Sequence, residues 1–572
     1  MAVGMMKYYG IDIGDGESAA AAVAEKGAVL PEVLILGATR SMLSVVGDLN
    51  GKPVVGDQAL LRQSQGVHNI KARFKSRYLT DDAASADIRR FAQGLYDLMK
   101  DEFAGVAQPH IALGVPAGWS DADRRRYVGI VSEAGFRNMH AVAESRAAFL
   151  FARYDKDIGL SAEELSRPAL VIDIGSSTTD FAYIVDGKET EVGVFGDKSL
   201  GGGLLDQLIL EDAVASSPKS GQIRAVFDRY PEWRSICELT ARKAKETYFS
   251  SEADWASDPY VSKAYISADV NSPASLSFSL DSKRMQQLLA TPISSLDGLT
   301  FPEQLKQCLE LAAKNTAKHP PELLILTGGA SRMNFFQQAC RDAFPNASVT
   351  ICPEPEFCIA RGLSIAANID YKLSLFKQKI EEFFESGDLR KDINLHLPAL
   401  QKKLSEVLLQ RIMRNCIEPA LRENCATITQ LNAAINSKIK EEFEQQGRTP
   451  ESDDIIAAWI TKELSETQGK LDGLCLSSDV ERADLALSKI GIRVEMNNLK
   501  VLPTLLPNFL FQIIMVFAQI NPNLVRKSVQ DALQDELVDP KGVFANTLAN
   551  GLETELRAQI QKNVEKVEIH IS

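Results

Sequence analysis

Two aspartates, Asp12 and Asp173, each stand near the end of a short apolar run and are followed by glycine and small polar residues: IDIGDGE at 11–17 and IDIGSSTTD at 172–180. A third run, LLILTGGASR at 323–332, ends on the paired glycines Gly328 and Gly329. Glycine turns bring backbone N–H groups close to a ligand, and hydroxyls beside them add donors, so the guest they suit is an anionic oxygen, phosphate first. A carboxylate at the strand end would repel bare phosphate but suits a hydrated magnesium ion that carries it. Together they point to a nucleotide bound with its metal, Asp12 and Asp173 facing the metal.

The elements that must hold these groups can be read from periodicity. In YYGIDIGDGESAAAAV (8–23) and LVIDIGSSTTDFAYIV (170–185) a second apolar run follows the turn, which predicts two hairpins. The third segment runs into the amphipathic stretch FFQQACRDAF (335–344) and reads as strand, turn, helix. Two like hairpins roughly 160 residues apart predict a duplicated α/β fold whose halves face each other.

The 572 residues are too many for one core and predict two to four domains. A 45% apolar and 24% charged composition is that of a soluble globular protein. The net charge of −13 argues against broad attraction to nucleic acid or anionic lipid. Eight cysteines without CxxC spacing read as buried free thiols rather than as a metal or redox centre. The first residues lack the apolar core and cleavage site of a signal peptide, so a cytoplasmic protein is expected.

In their order along the chain, these motifs resemble the actin-like ATPase superfamily and, within it, the DnaK-type seventy-kilodalton heat-shock chaperones. The resemblance covers about residues 7–370. GVPAGWSDADRRRYVGIVSEAGF (114–136) is similar to the family's first connecting segment, with Pro116 and Arg124 on its proline switch and the arginine that senses it. AVAESRAAFLFA (141–152) places Glu144 on the catalytic glutamate, and VGDQALLRQSQGVHNIKARFKSRY (55–78) places Lys71 on the catalytic lysine. FGDKSLGGGLLDQLI (195–209) resembles the loop whose glycines, here Gly201, Gly202 and Gly203, approach the terminal phosphate. ELTARKAKETYFSS (238–251) looks like the adenine-gripping helix with Lys245, while Gly328, Gly329, Arg332 and Glu356 fall on the adenosine side.

The resemblance implies a two-lobed α/β domain of duplicated ribonuclease-H-like halves, ATP or ADP with Mg²⁺ as cofactor, and slow ATP hydrolysis. Asp12 and Asp173 would hold the metal. Gly14, Asp15, Gly16, Gly175, Ser176 and Ser177 would line the phosphates, and Lys71, Glu144, Asp173 and Thr178 would serve catalysis.

The departures carry as much information. Where the family has two threonines after Gly14, this chain has Asp15-Gly16-Glu17, which would bring two carboxylates toward the phosphates. A like-charge contact at ~4 Å costs roughly 4 kcal/mol at an effective dielectric of 20, so slow hydrolysis or binding without hydrolysis are both open. Arg242 and Glu246 stand where the family has glutamate and arginine, an exchanged ion pair.

From 371 onward the family's peptide-binding β-sandwich has no counterpart. Residues 400–445 and 450–468 have helical spacing, with a turn at GRTPESDD (447–454). The most apolar stretch, 501–522, is interrupted by Pro503, Pro507 and Gln512 and is expected to be a buried helix, with a peripheral membrane contact as the alternative. The final VEKVEIHIS alternates as a last strand would. The expectation is thus a nucleotide-binding domain over 1–370 and a mainly α-helical domain over 371–572 that binds a protein partner under nucleotide control. A filament-forming actin-like protein and a non-hydrolysing nucleotide-binding module are the alternatives.

Overall fold

The computed structural model describes residues 6–567 apart from 25–29, 63–64, 107, 156–157, 186–187, 191–195, 257, 267–273, 424–426, 446–449, 479, 481–484 and 488–521. The expectations for 501–521 and for the first residues of the 447–454 turn fall outside the described residues; of the expected last strand, 564–567 end a helix and its turn instead, and 568–572 fall outside.

The described chain forms two compact units, Met1–Asp370 and Tyr371–Ser572, and the division falls within the helix Pro355–Glu385.

The first unit is built on two sheets of the same order. In the first, β1 (Lys7–Ile13) pairs antiparallel with β2 (Glu17–Ala24), and β3 (Glu32–Val33) and β4 (Ser41–Leu43) add to β2. A separate three-stranded sheet follows, with β5 (Val45–Leu49) between β6 (Lys52–Val55) and β7 (His68–Ala72). The first sheet is completed on the other side of β1 by the parallel strands β8 (His110–Val115) and β9 (Met139–Ala143).

The second sheet repeats this plan. Strand β10 (Ala169–Ile174) pairs antiparallel with β11 (Thr179–Val185), to which β12 (Lys188–Glu189) and β13 (Gly196–Asp197) add. The two-stranded antiparallel sheet of β14 (Tyr260–Ile266) and β15 (Ala274–Leu280) stands apart. Parallel strands β16 (Leu323–Thr327) and β17 (Ser348–Ile351) then complete the sheet beyond β10. Both predicted hairpins are present, as is the predicted strand, turn and helix at 323–344, whose helix spans Asn334–Ala343.

The central strands are apolar through nearly every residue, as strands buried on both faces must be. Tyr9, Ile11 and Ile13 of β1 and Leu170, Ile172 and Ile174 of β10 are fully buried, each group in its own core. The two halves meet through helices. The backbone of Pro355–Glu385 lies so close to β1 and to the helix Glu144–Tyr154 that a methyl group on Gly10 would overlap the Ala360 carbonyl, and one on Gly362 the Ala147 carbonyl. Hydrogen at these two positions is a packing requirement.

The described part of the second unit is helical, with helices at Asp388–Ile412, Ile428–Gln445, Pro450–Glu463, Ser465–Leu476, Pro522–Val538 and Val543–Val564. Leu400, Leu404, Leu408 and Ile412 of one helix and Leu552, Leu556 and Ile560 of another are buried at intervals of four, so the apolar stripes seen in sequence are its core. No β-strand occurs among its described residues, which agrees with the missing peptide-binding sandwich. No helix among the described residues is long and apolar enough to cross a membrane. The seven described cysteines are buried and free, as expected.

Replacing Gly362 with alanine should destabilise the first unit by about 1–3 kcal/mol, as overpacking against backbone does. Gly129→Ala, in a helix with open space around the position, should leave the melting temperature unchanged or slightly raised. Thermal unfolding of the two variants in parallel checks this.

Candidate functional site

The two hairpin turns face one cleft of about 280 Å³. Of the residues expected at the site, Asp12, Gly14, Asp15, Gly16, Glu144, Asp173, Gly175, Ser176, Ser177, Thr178, Gly202, Lys245, Gly328, Gly329, Arg332 and Glu356 line it. Gly201 and Gly203 support it from behind, and Lys71 lies elsewhere.

The turns are built alike. The Gly14 amide donates to Glu17 O and the Gly175 amide to Thr178 O, both at 3.0 Å, which folds each loop back on its strand. The amides of Gly202 and Gly203 donate to the carbonyls of Gly175 and Ser176 at 2.9 and 2.7 Å. These two amides are therefore spent on holding the loops together. Among the described residues, the amides of Ser176 and Ser177 donate to no protein group and remain for an anion. Gly328, at φ 80°, would set a methyl group 2.6 Å from Asp173 Oδ1, so the third turn reaches the metal-side carboxylate only as glycine.

The sequence misplaced the lysine. Lys71 sits on β7, exposed, opposite Val46, and lines an adjoining cavity of about 1000 Å³ that shares Asp15, Gly16, Ser176 and Arg242 with the cleft. Lys75, four residues on, occupies the cleft: its Nζ donates to Glu144 Oε1 at 2.5 Å and to Gly114 O at 3.4 Å and lies 3.9 Å from Asp12 Oδ1. The reason is local. Strand β7 ends at Ala72, Arg73 turns the chain in a left-handed conformation (φ 53°), and Phe74 is fully buried against Phe91, which directs the next residue into the cleft. Both lysines lie in the run KARFK, and nothing in the sequence of that run separates them.

Three carboxylates of the cleft are held above the ordinary carboxylate range. Burial pushes the Asp12 carboxyl up to about 7, with Lys75 pulling the other way and Glu144 adding to the rise. Burial, with Glu144, Asp180 and Asp12 nearby, raises Asp173 well above the ordinary carboxylate range. Burial and Glu144 lift Asp180 to about 6, although the Thr178 hydroxyl donates to it at 2.8 Å. For Lys75, burial opposes the charge, but Glu144, Tyr127 and Asp12 overcome it and hold the ammonium firmly protonated.

Carboxylates that resist ionising because they crowd together in a dry site suit a divalent cation. This donor set fits magnesium beside Asp12 and Asp173, although among the described residues no group of three His, Cys, Asp or Glu side chains forms a metal cage by itself. The missing coordination would come from phosphate oxygens and water.

Neither extra carboxylate of the first turn is simply aimed at the phosphates. Glu17 pairs with Arg242 at 3.1 Å, and Arg242 also donates to Glu246 at 2.7 Å, so the exchanged pair on the helix Pro231–Ser250 reaches across the cleft to the other lobe. One turn earlier on that helix Glu238 pairs with Arg73. Asp15 Oδ1 accepts the Ser76 amide at 2.9 Å.

On the adenosine side Arg332 pairs with Glu356 at 2.8 Å. Lys245 is buried, ion-paired with Asp206 at 2.7 Å and donating to Gly202 O at 2.9 Å, so it braces the glycine loop rather than offering a free charge to a base. Arg124 donates to the carbonyls of Ala117 and Trp119 and fastens the turn that follows Pro116.

Two sheets of identical order, joined through helices and each carrying a glycine turn with an aspartate at the end of its central strand, define an actin-like ATPase fold. The family profile described as Hsp70 protein matches residues 59–373, more than half of the chain. The chain belongs to the Hsp70 family, and its first unit carries a chaperone-type ATP-binding domain. Domains of this family bind ATP or ADP with Mg²⁺, and its members generally bind client proteins.

Because the folded-state pKa of Asp12 lies above its unfolded value near 4, ionising it opposes folding, and that cost grows as pH rises from about 4 through about 7. Asp12→Asn should therefore raise the melting temperature of the nucleotide-free, magnesium-free protein at pH 8, and the gain should shrink as pH falls and vanish only below about pH 4. A melting series over that range reads the outcome.

Proposed function

We propose that this chain is a slow, magnesium-dependent ATPase in which Lys75, not Lys71, is the catalytic lysine. Water attacks the γ-phosphorus, the bond to the β,γ-bridging oxygen breaks, and ADP and phosphate leave. The observation that carries this reading is the Lys75 ammonium fixed between Glu144 and Asp12 at the cleft where the two phosphate turns converge. Phosphoryl transfer depends on positioning and charge stabilisation more than on covalent chemistry.

Lys75 would place its charge against the transferring group, and Glu144 would orient the ammonium and the attacking water. Thr178, already donating to Asp180, would help order that water's surroundings. Asp12 and Asp173 would hold magnesium, which when bound neutralises phosphate charge. The free amides of Ser176 and Ser177 would take phosphate oxygens.

The nucleotide would act as a switch. Glu17 and Arg242 come from opposite lobes, so the cleft closes through charge pairs that a bound nucleotide can favour or oppose, and Arg124 beneath Pro116 offers a route outward from Glu144. The output would be the binding of a protein partner by the helical unit, in place of the family's peptide-binding sandwich. A cytoplasmic location suits this role. A second reading, binding without hydrolysis, is favoured by one observation, the carboxylate of Asp15 in the first phosphate turn.

Two measurements test these readings. Lys75→Ala or Glu144→Ala should lower phosphate release by about 100-fold or more while calorimetry still shows ATP binding, and Lys71→Ala should turn over like the parent. Turnover lost in Lys71→Ala but kept in Lys75→Ala would overturn the assignment. ATP binding with no phosphate release above an Asp173→Ala control would leave the non-hydrolysing reading standing.

A further inference from the structure

The lysine in the cleft is carried on a weak element. The helix Phe74–Arg77 is a single turn, and its first residues have amide groups that no earlier turn can satisfy. The residue in the N-cap position, Arg73, is left-handed at φ 53° and makes no side-chain cap. A non-glycine residue in that conformation costs roughly 1–2 kcal/mol. An isolated turn of this kind does not hold itself together, yet Lys75 must keep one position to meet both Glu144 and Asp12.

The missing cap comes from 61 positions away in sequence. Asp15, in the turn between β1 and β2, accepts the Ser76 amide on Oδ1 at 2.9 Å. A carboxylate satisfying a first-turn amide makes the hydrogen bond an N-cap residue would make and sets a negative charge at the positive end of the turn. Asp15 is 8% exposed, and its other oxygen is buried without a donor among the described residues. A buried acceptor left unmade costs about 1–3 kcal/mol, so the bond to Ser76 is the contact that holds this side chain in place.

Asp15 also lines the nucleotide cleft. It thereby joins the first phosphate turn to the segment that bears Lys75.

We propose that Asp15 is a positioning residue: its carboxylate caps the helix Phe74–Arg77 from the opposite loop and so sets the Lys75 ammonium on Glu144. The inference rests on the reading of Lys75 as the working lysine, but its first test is independent of turnover. Nucleotide-free protein is labelled with a limiting amine-acylating reagent, and the rates at Lys75, Lys71 and Lys245 are compared by mass spectrometry.

In the parent, Lys75 should label far more slowly than exposed Lys71. Asp15→Ala should raise Lys75 severalfold relative to Lys71 while buried Lys245 stays slow, and Asp15→Asn, which keeps an acceptor oxygen, should restore the parent ratio. If Lys245 rises with Lys75, the alanine variant has lost its fold, and the same ratio measured on Asp15→Ser decides.

A Lys75 to Lys71 ratio that stays at the parent value in Asp15→Ala, or in Asp15→Ser where that variant decides, overturns the proposal, as does failure of Asp15→Asn to restore it. Where the parent hydrolyses ATP, Asp15→Ala should lower kcat by as much as about 100-fold, the cost of a misplaced group, with KM nearly unchanged. A parent without turnover would defeat the ATPase reading and leave the labelling result to stand.

Discussion

An ammonium group buried among carboxylates is the interaction around which the first unit is organised. Lys75 is 7% exposed, Glu144 is 9% exposed, and the two meet at 2.5 Å with Asp12 close by. Taking such charges out of water costs several kcal/mol each, and only close geometry returns it. Removing Lys75 or Glu144 would leave the other uncompensated, so the parts that set this geometry are tied to one another: β1 through Asp12, the helix Glu144–Tyr154 through its first residue, and the short turn at 74–77. The other buried carboxylates of the cleft, Asp173 and Asp180, stay raised by burial even with Lys75 near both.

The remaining architecture keeps these groups within reach. Glycine at positions 10 and 362 lets a helix lie directly on the central strand and on the helix that starts with Glu144, so the floor of the cleft has little room to shift. Near the mouth, charges replace close packing. The stripe Glu238, Arg242, Glu246 recurs every four residues along one helix, and its first two members meet Arg73 and Glu17 of the other lobe. Ion pairs of partly exposed side chains are weak individually. A firm floor with a weakly held mouth is the arrangement a cleft needs if it is to admit and release a nucleotide.

Much of this was legible in the chain because it depends on local pattern. The runs ending at Asp12 and Asp173 announced hairpins, LLILTGGASR announced a strand and turn, and the leucine spacing beyond 400 announced helices, since periodicity and glycine punctuation act over a few residues. The choice between Lys71 and Lys75 was not legible. Both are lysines in one basic run, and what separates them is a strand end, one left-handed residue and the burial of Phe74 in a core assembled from distant helices. The fates of Glu17 and Lys245 were hidden for the same reason, because their partners, Arg242 and Asp206, are brought to them by tertiary folding.

By itself, then, the sequence determined the kind of protein: a duplicated α/β nucleotide-binding fold, an aspartate at the end of each central strand, and a helical region where the family has a β-sandwich. These follow from residue type and spacing, which are properties of short segments. Only the tertiary structure decided which lysine enters the cleft, which amides of the turns are free for an anion, and that the unexpected carboxylates at 15 and 17 are met by Ser76 and Arg242. Such matters turn on which charge finds which partner in a water-poor space, and partners 61 or 225 positions apart in sequence leave no mark in the pattern of either segment.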